Sequence, residues 1–367
     1  MTRFRTLLPI VAALLGGLML TNAPATAQTV DFAVCANATP ESVSDDCMSL
    51  MLAFPDPTVS PVALDQYTIS NYSFYKVKAA GSAVHDAPGG NVLRTWPQGF
   101  HFVRALALSE GWIQIDDGGW MLESDLQYSP ASGLTGVRLL DGLNNPFAWA
   151  LDLMCTSPAP GAQQNCETGR LLKRFDRVNI FATVVDESGW RWYMVGPDQW
   201  VEQRVVAKPV RAERPADFEG RWVAVDLYEQ VLVAYENDTP VFATVISTGL
   251  PGTDTPEGAF KVWAALPADR MSGFAGAPTA YDLTGVPWVQ YFDGSIALHG
   301  TYWHNNFGYR RSRGCVNLSI SDSRWLFEWA EDGDQAPRNV KPVEDPTGLG
   351  VLVWSSGEYR VGGAATK

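Results

Sequence analysis

Histidine is scarce in this chain of 367 residues, four in all, and the cysteines stop at an odd number, five. No carboxylate or further cysteine stands at a recognisable ligand spacing from the two neighbouring histidines, His299 and His304, so no metal is expected. Charge is thin as well. Only 18% of residues are charged, and 40 acidic against 27 basic side chains leave a net charge of −13 and a pI near 4.7. That balance argues against a nucleic-acid partner and against bulk adhesion to anionic lipid. Long apolar runs are missing beyond the first twenty residues, so no later segment has the length to cross a bilayer. What is plentiful is glycine (33), proline (24) and tryptophan (14), in a chain that is 46% hydrophobic. This composition can fill packed cores and favours strands and turns over long helices. The length suggests two or three domains.

The one apolar run, Leu7 to Leu20, follows Arg3 and Arg5 and precedes Ala25-Thr26-Ala27, the layout of a secretory signal over residues 1–27. Its fourteen residues fall short of a membrane span, so cleavage after Ala27 is expected, with a retained anchor as the alternative. The expected destination is the periplasm, cell wall or extracellular space. Cys35 and Cys47 lie 12 apart and Cys155 and Cys166 lie 11 apart, and local pairing of each suits an exported chain. Other pairings remain open among five cysteines. Local pairing leaves Cys315 over.

Cys315 sits in SIALHGTYWHNNFGYRRSRGCVNL, residues 295–318, together with His299 and His304. A thiol attacks acyl groups as its thiolate, and a neighbouring imidazole lowers the thiol pKa and carries the proton to the leaving group. Ser295 to Leu298 reads as a strand end from which His299 emerges. Gly314 would let backbone N–H groups approach a developing oxyanion. Ser319-Ile320-Ser321-Asp322 has the form of a capping box, opening a short helix that carries Trp325, Leu326 and Trp329.

His299-Gly300-Thr301 followed by Ser312-Arg313-Gly314-Cys315-Val316-Asn317 resembles the signature of the L,D-transpeptidases, the YkuD-type catalytic domain of peptidoglycan cross-linking. Gly249 and Thr255-Pro256-Glu257-Gly258-Ala259-Phe260 extend the likeness. The resemblance implies that Cys315 is the nucleophile, forming a thioester with a donor stem tetrapeptide, and that His299 is the general base and acid. It further implies that the Gly300 carbonyl orients the imidazole, that backbone N–H groups at Gly314 and Cys315 form the oxyanion hole, and that no metal or organic cofactor takes part. Asn317 would orient the loop. His304, Arg311, Ser312, Arg313, Asn317, Tyr281 and Trp288 are the expected substrate contacts, with the arginines facing stem carboxylates. The residue before the Gly-Cys pair is often histidine in the family and is Arg313 here.

The expected fold is mainly β: two small SH3-like barrels, then a mostly-β catalytic domain with a short helix after the cysteine. Residues 28–70 read as a disulfide-tied leader with a helix near Asp45 to Leu52. Residues 71–128 resemble the bacterial SH3-like domain, with turns at Pro88-Gly89-Gly90, Pro97-Gln98-Gly99 and Asp117-Gly118-Gly119. Residues 135–208 repeat the plan, Ser188-Gly189-Trp190 aligning with Glu110-Gly111-Trp112. The tryptophans of both are read as core, and His85 and His101 as solvent-facing. A polar linker over residues 208–219 leads to the catalytic domain, 218–356, and a tail, 357–367. Residues 265–285 read as a loop forming a flap with Met271 and Phe274. The peptidoglycan stem peptide is the expected partner. Rival readings are an L,D-carboxypeptidase using water, a non-catalytic wall-binding protein, and zinc held by His299, His304 and Cys315.

Overall fold

The computed structural model describes residues 31–71, 73–277, 279–330 and 348–357. Residues 1–27, read from the sequence as a secretory signal, and the last ten residues of the tail lie outside the described residues. Three strands set the frame: Arg221–Asp226, Val231–Glu236 and Thr239–Val245, joined antiparallel. Their turns pass through Gln230 and Asn237, both at positive φ, 56° and 53°. Gly350–Trp354 adds in parallel to Arg221–Asp226, and Gly258–Lys261 pairs beyond it. On the other flank Val137–Leu139 pairs with Thr239–Val245, and Val59–Pro61 closes the seven-stranded sheet.

Side chains alternate between the faces of a strand, and both faces of this sheet are covered. Trp222, Ala224, Val233 and Tyr235 pack one way, against Phe147, Trp149 and Phe307. Val223, Val225, Leu232 and Ala234 pack the other way, against Leu298, Val316, Leu318 and Leu326.

The second sheet has eleven strands. It runs from Val316–Leu318 through Ile296–Gly300 and Tyr281–Asp293 to Phe100–Ser109, then into Trp112–Ile115, Trp120–Leu122, Ala83–His85 and Val92–Thr95. The ladders therefore cross the boundaries drawn from the sequence: Tyr281–Asp293 pairs in parallel with Phe100–Ser109, at Tyr281↔Phe100 and Leu283↔Phe102. The described residues, from Asp31 on, form one compact unit. The architecture is mainly β with three α-helices, and no sheet closes into a barrel among the described residues. The 73–128 and 147–207 segments nonetheless keep small cores of their own, around Val103 and Ile113 and around Val178 and Tyr193. Gly111 and Gly189 both lie at positive φ, 84° and 78°.

Several local expectations hold. The leader helix is Asp45–Ala53, capped by Ser44 accepting the Cys47 N–H. The disulfides are Cys35–Cys47 and Cys155–Cys166, and Cys315 is free. Ile320–Ala330 is the helix after the cysteine, with Ser319 Oγ accepting the Asp322 N–H. Others differ. The 265–285 stretch is a hairpin: Ala264–Gly273 pairs antiparallel with Tyr281–Asp293. The linker is packed down, with Phe218 in the core and the Ala212 N–H donated to the Tyr235 hydroxyl. His101 is 4% exposed, because strands pair on both sides of it and its ring lies against Trp96. His85 is half-buried, its Nδ1 on the Gly90 carbonyl. Among the described residues no helix is long and apolar enough to cross a membrane.

Candidate active site

Ile296–Gly300 and Val316–Leu318 lie side by side in parallel, in the register Leu298↔Val316, His299↔Asn317, Gly300↔Leu318. Leu298, Val316 and Leu318 enter the core. By alternation His299 and Asn317 turn to the opposite face, and with Cys315 they line one groove of about 280 Å³. The core thus aims the histidine and holds the strand that follows the thiol.

His299 is 1% exposed, and its Nδ1 lies 3.1 Å from the Gly300 carbonyl. Only an Nδ1–H can donate to that oxygen, which leaves Nε2 with its lone pair. Burial lowers the imidazole to about 4, with the hydrogen bond to Gly300 a weaker opposing influence. Cys315 is partly exposed as a residue, yet enough protein surrounds the sulfur that burial pushes its thiol up to about 11, with the Ala297 N–H opposing. The resting pair is therefore neutral thiol and neutral imidazole. The expected lowering of the thiol is not found, because a buried, uncharged ring supplies no cation to stabilise a thiolate.

The loop before the cysteine is fixed by its own polar groups. The Ser312 hydroxyl accepts the Gly314 N–H at 3.2 Å and donates to the Cys315 carbonyl at 2.5 Å. Gly314 has φ 116°, and a Cβ there would lie 3.3 Å from Ile296 Cδ1, so only glycine passes without strain. The Arg311 and Ser312 N–H groups reach the Thr248 carbonyl at 2.8 and 3.0 Å. Thr248 in turn is held by Gln230, fully buried. Arg310 pairs with Asp254 at 3.0 Å, tying the loop to the 250–255 turn.

His304 is half-buried, lowered to about 3 by burial and then by Arg311. Its Nδ1 accepts the Asn306 N–H at 3.1 Å, so the ring proton belongs on Nε2, 2.9 Å from Asn317 Nδ2. Two donors cannot bond. Turning the Asn317 amide over makes its oxygen the acceptor and relieves the otherwise unpartnered, buried Oδ1. His304 is then a neutral brace for Asn317.

Arg313 lies between two rings, its guanidinium 5.0 Å from the Phe274 centroid and 4.9 Å from that of Tyr281. The hairpin tip is thereby clasped to the residue beside Gly314. Of the residues singled out from sequence, Tyr281, His299, His304, Arg311, Ser312, Arg313, Cys315 and Asn317 line the groove. Trp288 does not. At φ 57° it turns toward the helix, where its indole N–H donates to Asp65 at 3.1 Å and its ring meets Phe327 edge-on. Sequence reasoning missed Phe100, Leu250, Leu283 and Trp303. Trp303 carries a faint signal, four positions after His299 with its ring 5.5 Å from the imidazole. Phe100 arrives only through the long-range pairing with Tyr281.

A β-rich domain with a buried imidazole on one strand and a free thiol directly before its parallel neighbour is the class this geometry defines. Residues 220–344 match the family model of the L,D-transpeptidase catalytic domain, YkuD, and that segment carries this domain. No curated protein matches the chain. Among solved structures it is similar to a mutant form of the L,D-transpeptidase of Enterococcus faecium, at 26% identity over 37% of this chain and 50% of that one, TM-score 0.30. It is similar to the L,D-transpeptidase of Stackebrandtia nassauensis at 27% over 40% and 59%, TM-score 0.28, and to that of Mycobacterium smegmatis at 20% over 47% and 80%, TM-score 0.31. The chain spans about half the length of the first two structures it matches.

Proposed function

We propose that this protein is an exported peptidoglycan L,D-transpeptidase working through a thioester on Cys315. The observation that carries the reading is that His299 and Cys315 line one groove, Cys315 directly preceding the strand that pairs in parallel with that of His299, with Nδ1 spent on Gly300 and Nε2 free. Cys315 gives its proton to His299 Nε2 as sulfur bonds to the carbonyl carbon of a donor stem tetrapeptide, and the C=O electron pair moves to oxygen. As that oxyanion collapses, the C–N bond breaks and the departing D-alanine amine takes the proton from the imidazolium. An amine of a second stem peptide then attacks the thioester, its proton passing through His299 to the leaving sulfur. Arg311 and Arg313 supply positive charge in the groove for stem carboxylates. The two disulfides accord with an oxidising compartment, and the 71–128 and 135–208 segments, read as SH3-like, serve to hold the enzyme on the wall.

The test is incubation of purified protein with tetrapeptide muropeptides, followed by mass spectrometry of protein and products. Expected are an acyl adduct on Cys315, release of D-alanine and cross-linked dimers, with Cys315→Ala lowering turnover about 10³-fold or more. Tripeptide without dimers would make water the acceptor and the enzyme an L,D-carboxypeptidase. Neither adduct nor D-alanine release would overturn the reading in favour of a non-catalytic wall-binding protein.

A further inference from the structure

Thr255 does not line the groove, yet its hydroxyl is used at both ends. It donates to the Gly314 carbonyl at 2.7 Å and accepts the Gly249 N–H at 3.0 Å, with the residue 2% exposed. The chain is shaped to bring it there. A Cβ on Gly249 would fall 2.1 Å from the Thr253 carbonyl oxygen, so only glycine lets the 249–255 turn fold back so closely. The same turn meets the cysteine loop again through the Leu250 N–H on the Ser312 carbonyl, 2.9 Å, and through Asp254 on Arg310.

A trans peptide unit is planar, with its C=O and N–H pointing in opposite directions. Gripping the Gly314 oxygen from the buried side therefore fixes the Cys315 N–H on the side away from Thr255, where Cys315 faces the groove. Of the two N–H groups expected to serve an oxyanion, that of Gly314 is already engaged by Ser312 Oγ. No acceptor among the described residues takes the Cys315 N–H. We propose that Thr255 is a positioning residue, whose hydroxyl locks the Gly314–Cys315 peptide so that the Cys315 N–H is aimed at the oxygen of the acyl group under attack. The inference rests on the acyl-transfer reading and adds to it the element that orients its oxyanion donor. In the step it serves, the bond between sulfur and the carbonyl carbon forms while the C=O pair localises on oxygen, and the N–H stabilises that charge only if it is held in place beforehand.

Two reactions of the same sulfur separate this role from a merely structural one. Acylation by tetrapeptide muropeptides passes through an oxyanion; alkylation by iodoacetamide displaces iodide at a saturated carbon and does not. Thr255→Val, close in shape but without the hydroxyl, is expected to slow D-alanine release at least about tenfold, loss of a whole oxyanion donor being worth about 10²–10³. Its alkylation rate should stay within about twofold of wild type, and Thr255→Ser should restore acylation. Should Thr255→Val fail to fold, Thr255→Ala carries the same comparison. Acylation at the wild-type rate in the hydroxyl-free variant, or equal losses in acylation and alkylation, would overturn the assignment. Wild-type protein that releases no D-alanine would instead overturn the acyl-transfer reading beneath it.

Discussion

At the scale of single residues, desolvation outweighs every other influence on Cys315, His299, His304 and Tyr281. The thiol is raised from 9.0 to about 11 and the imidazole lowered from 6.5 to about 4, so each holds its neutral form at pH 7. With a pKa near 11 the thiolate is about one part in ten thousand at pH 7. The rate constant for iodoacetamide alkylation of Cys315 should thus climb about tenfold per pH unit from 6 to 9 without levelling. A plateau below pH 8 would reveal a preformed thiolate–imidazolium pair and contradict this picture. His299→Gln should leave the slope of that profile in place while cutting D-alanine release about 10²–10⁴-fold. The histidine acts when the proton moves, not before.

Between residues and the whole fold stand two elements, the cysteine loop and the hairpin above it. The hairpin tip, Phe274 to Ala277, is a turn closed by the Ala277 N–H on the Phe274 carbonyl, and Phe274 is 54% exposed at φ 55°. Arg313, stacked between Phe274 and Tyr281, ties this turn to the cysteine loop. An exposed cation–π contact is worth about 0.5–1 kcal/mol, so Arg313→Ala should raise amide exchange at Ala277 about fivefold. Unchanged exchange at that amide would mean that the strands alone fix the tip.

Across the whole molecule, parts distant in sequence are joined by buried polar groups. Asp65 of the leader donates its N–H to the Ser321 hydroxyl, and its carboxylate takes Arg324 at 2.6 Å and the Trp288 indole. Asp322, fully buried, accepts the Gly136 N–H and the Thr244 hydroxyl, both at 2.6 Å, joining helix, central sheet and the chain before the second small unit. Burial raises its carboxyl to about 6 against those hydrogen bonds. A folded pKa above the unfolded value of 3.8 gives a contribution fully present below about pH 4 and lost as pH rises through 6, by about 3 kcal/mol at most. His299 and His304, lowered on folding, act in the opposite sense, losing their contribution as pH falls from 6.5 through about 4 and 3. Urea midpoints of wild type and Asp322→Asn at pH 4 and pH 7 separate the two, since the histidines are common to both. The difference between the proteins should move toward wild type at pH 4 and toward the Asp322→Asn variant at pH 7. A difference independent of pH would show that Asp322 does not titrate differently on folding.

Local chemistry was enough to read much of this from the chain alone. Ser319 marks a helix start because a hydroxyl satisfies a free N–H within three residues. The turn at Gly314, next to the thiol, is likewise decided by neighbours a few positions away. Tertiary structure decided the rest. The strands Arg221–Asp226 and Val231–Glu236 are buried on both faces because the 147–212 segment covers the second one, which no alternation within the strands announces. Phe100 enters the groove, and His101 becomes buried, through one parallel pairing with Tyr281–Asp293. Cys315 keeps its proton because of atoms packed around it from several elements. Hydrogen bonds across three or four residues are written in local sequence; which surfaces meet, and how much water they exclude, is a property only of the folded whole.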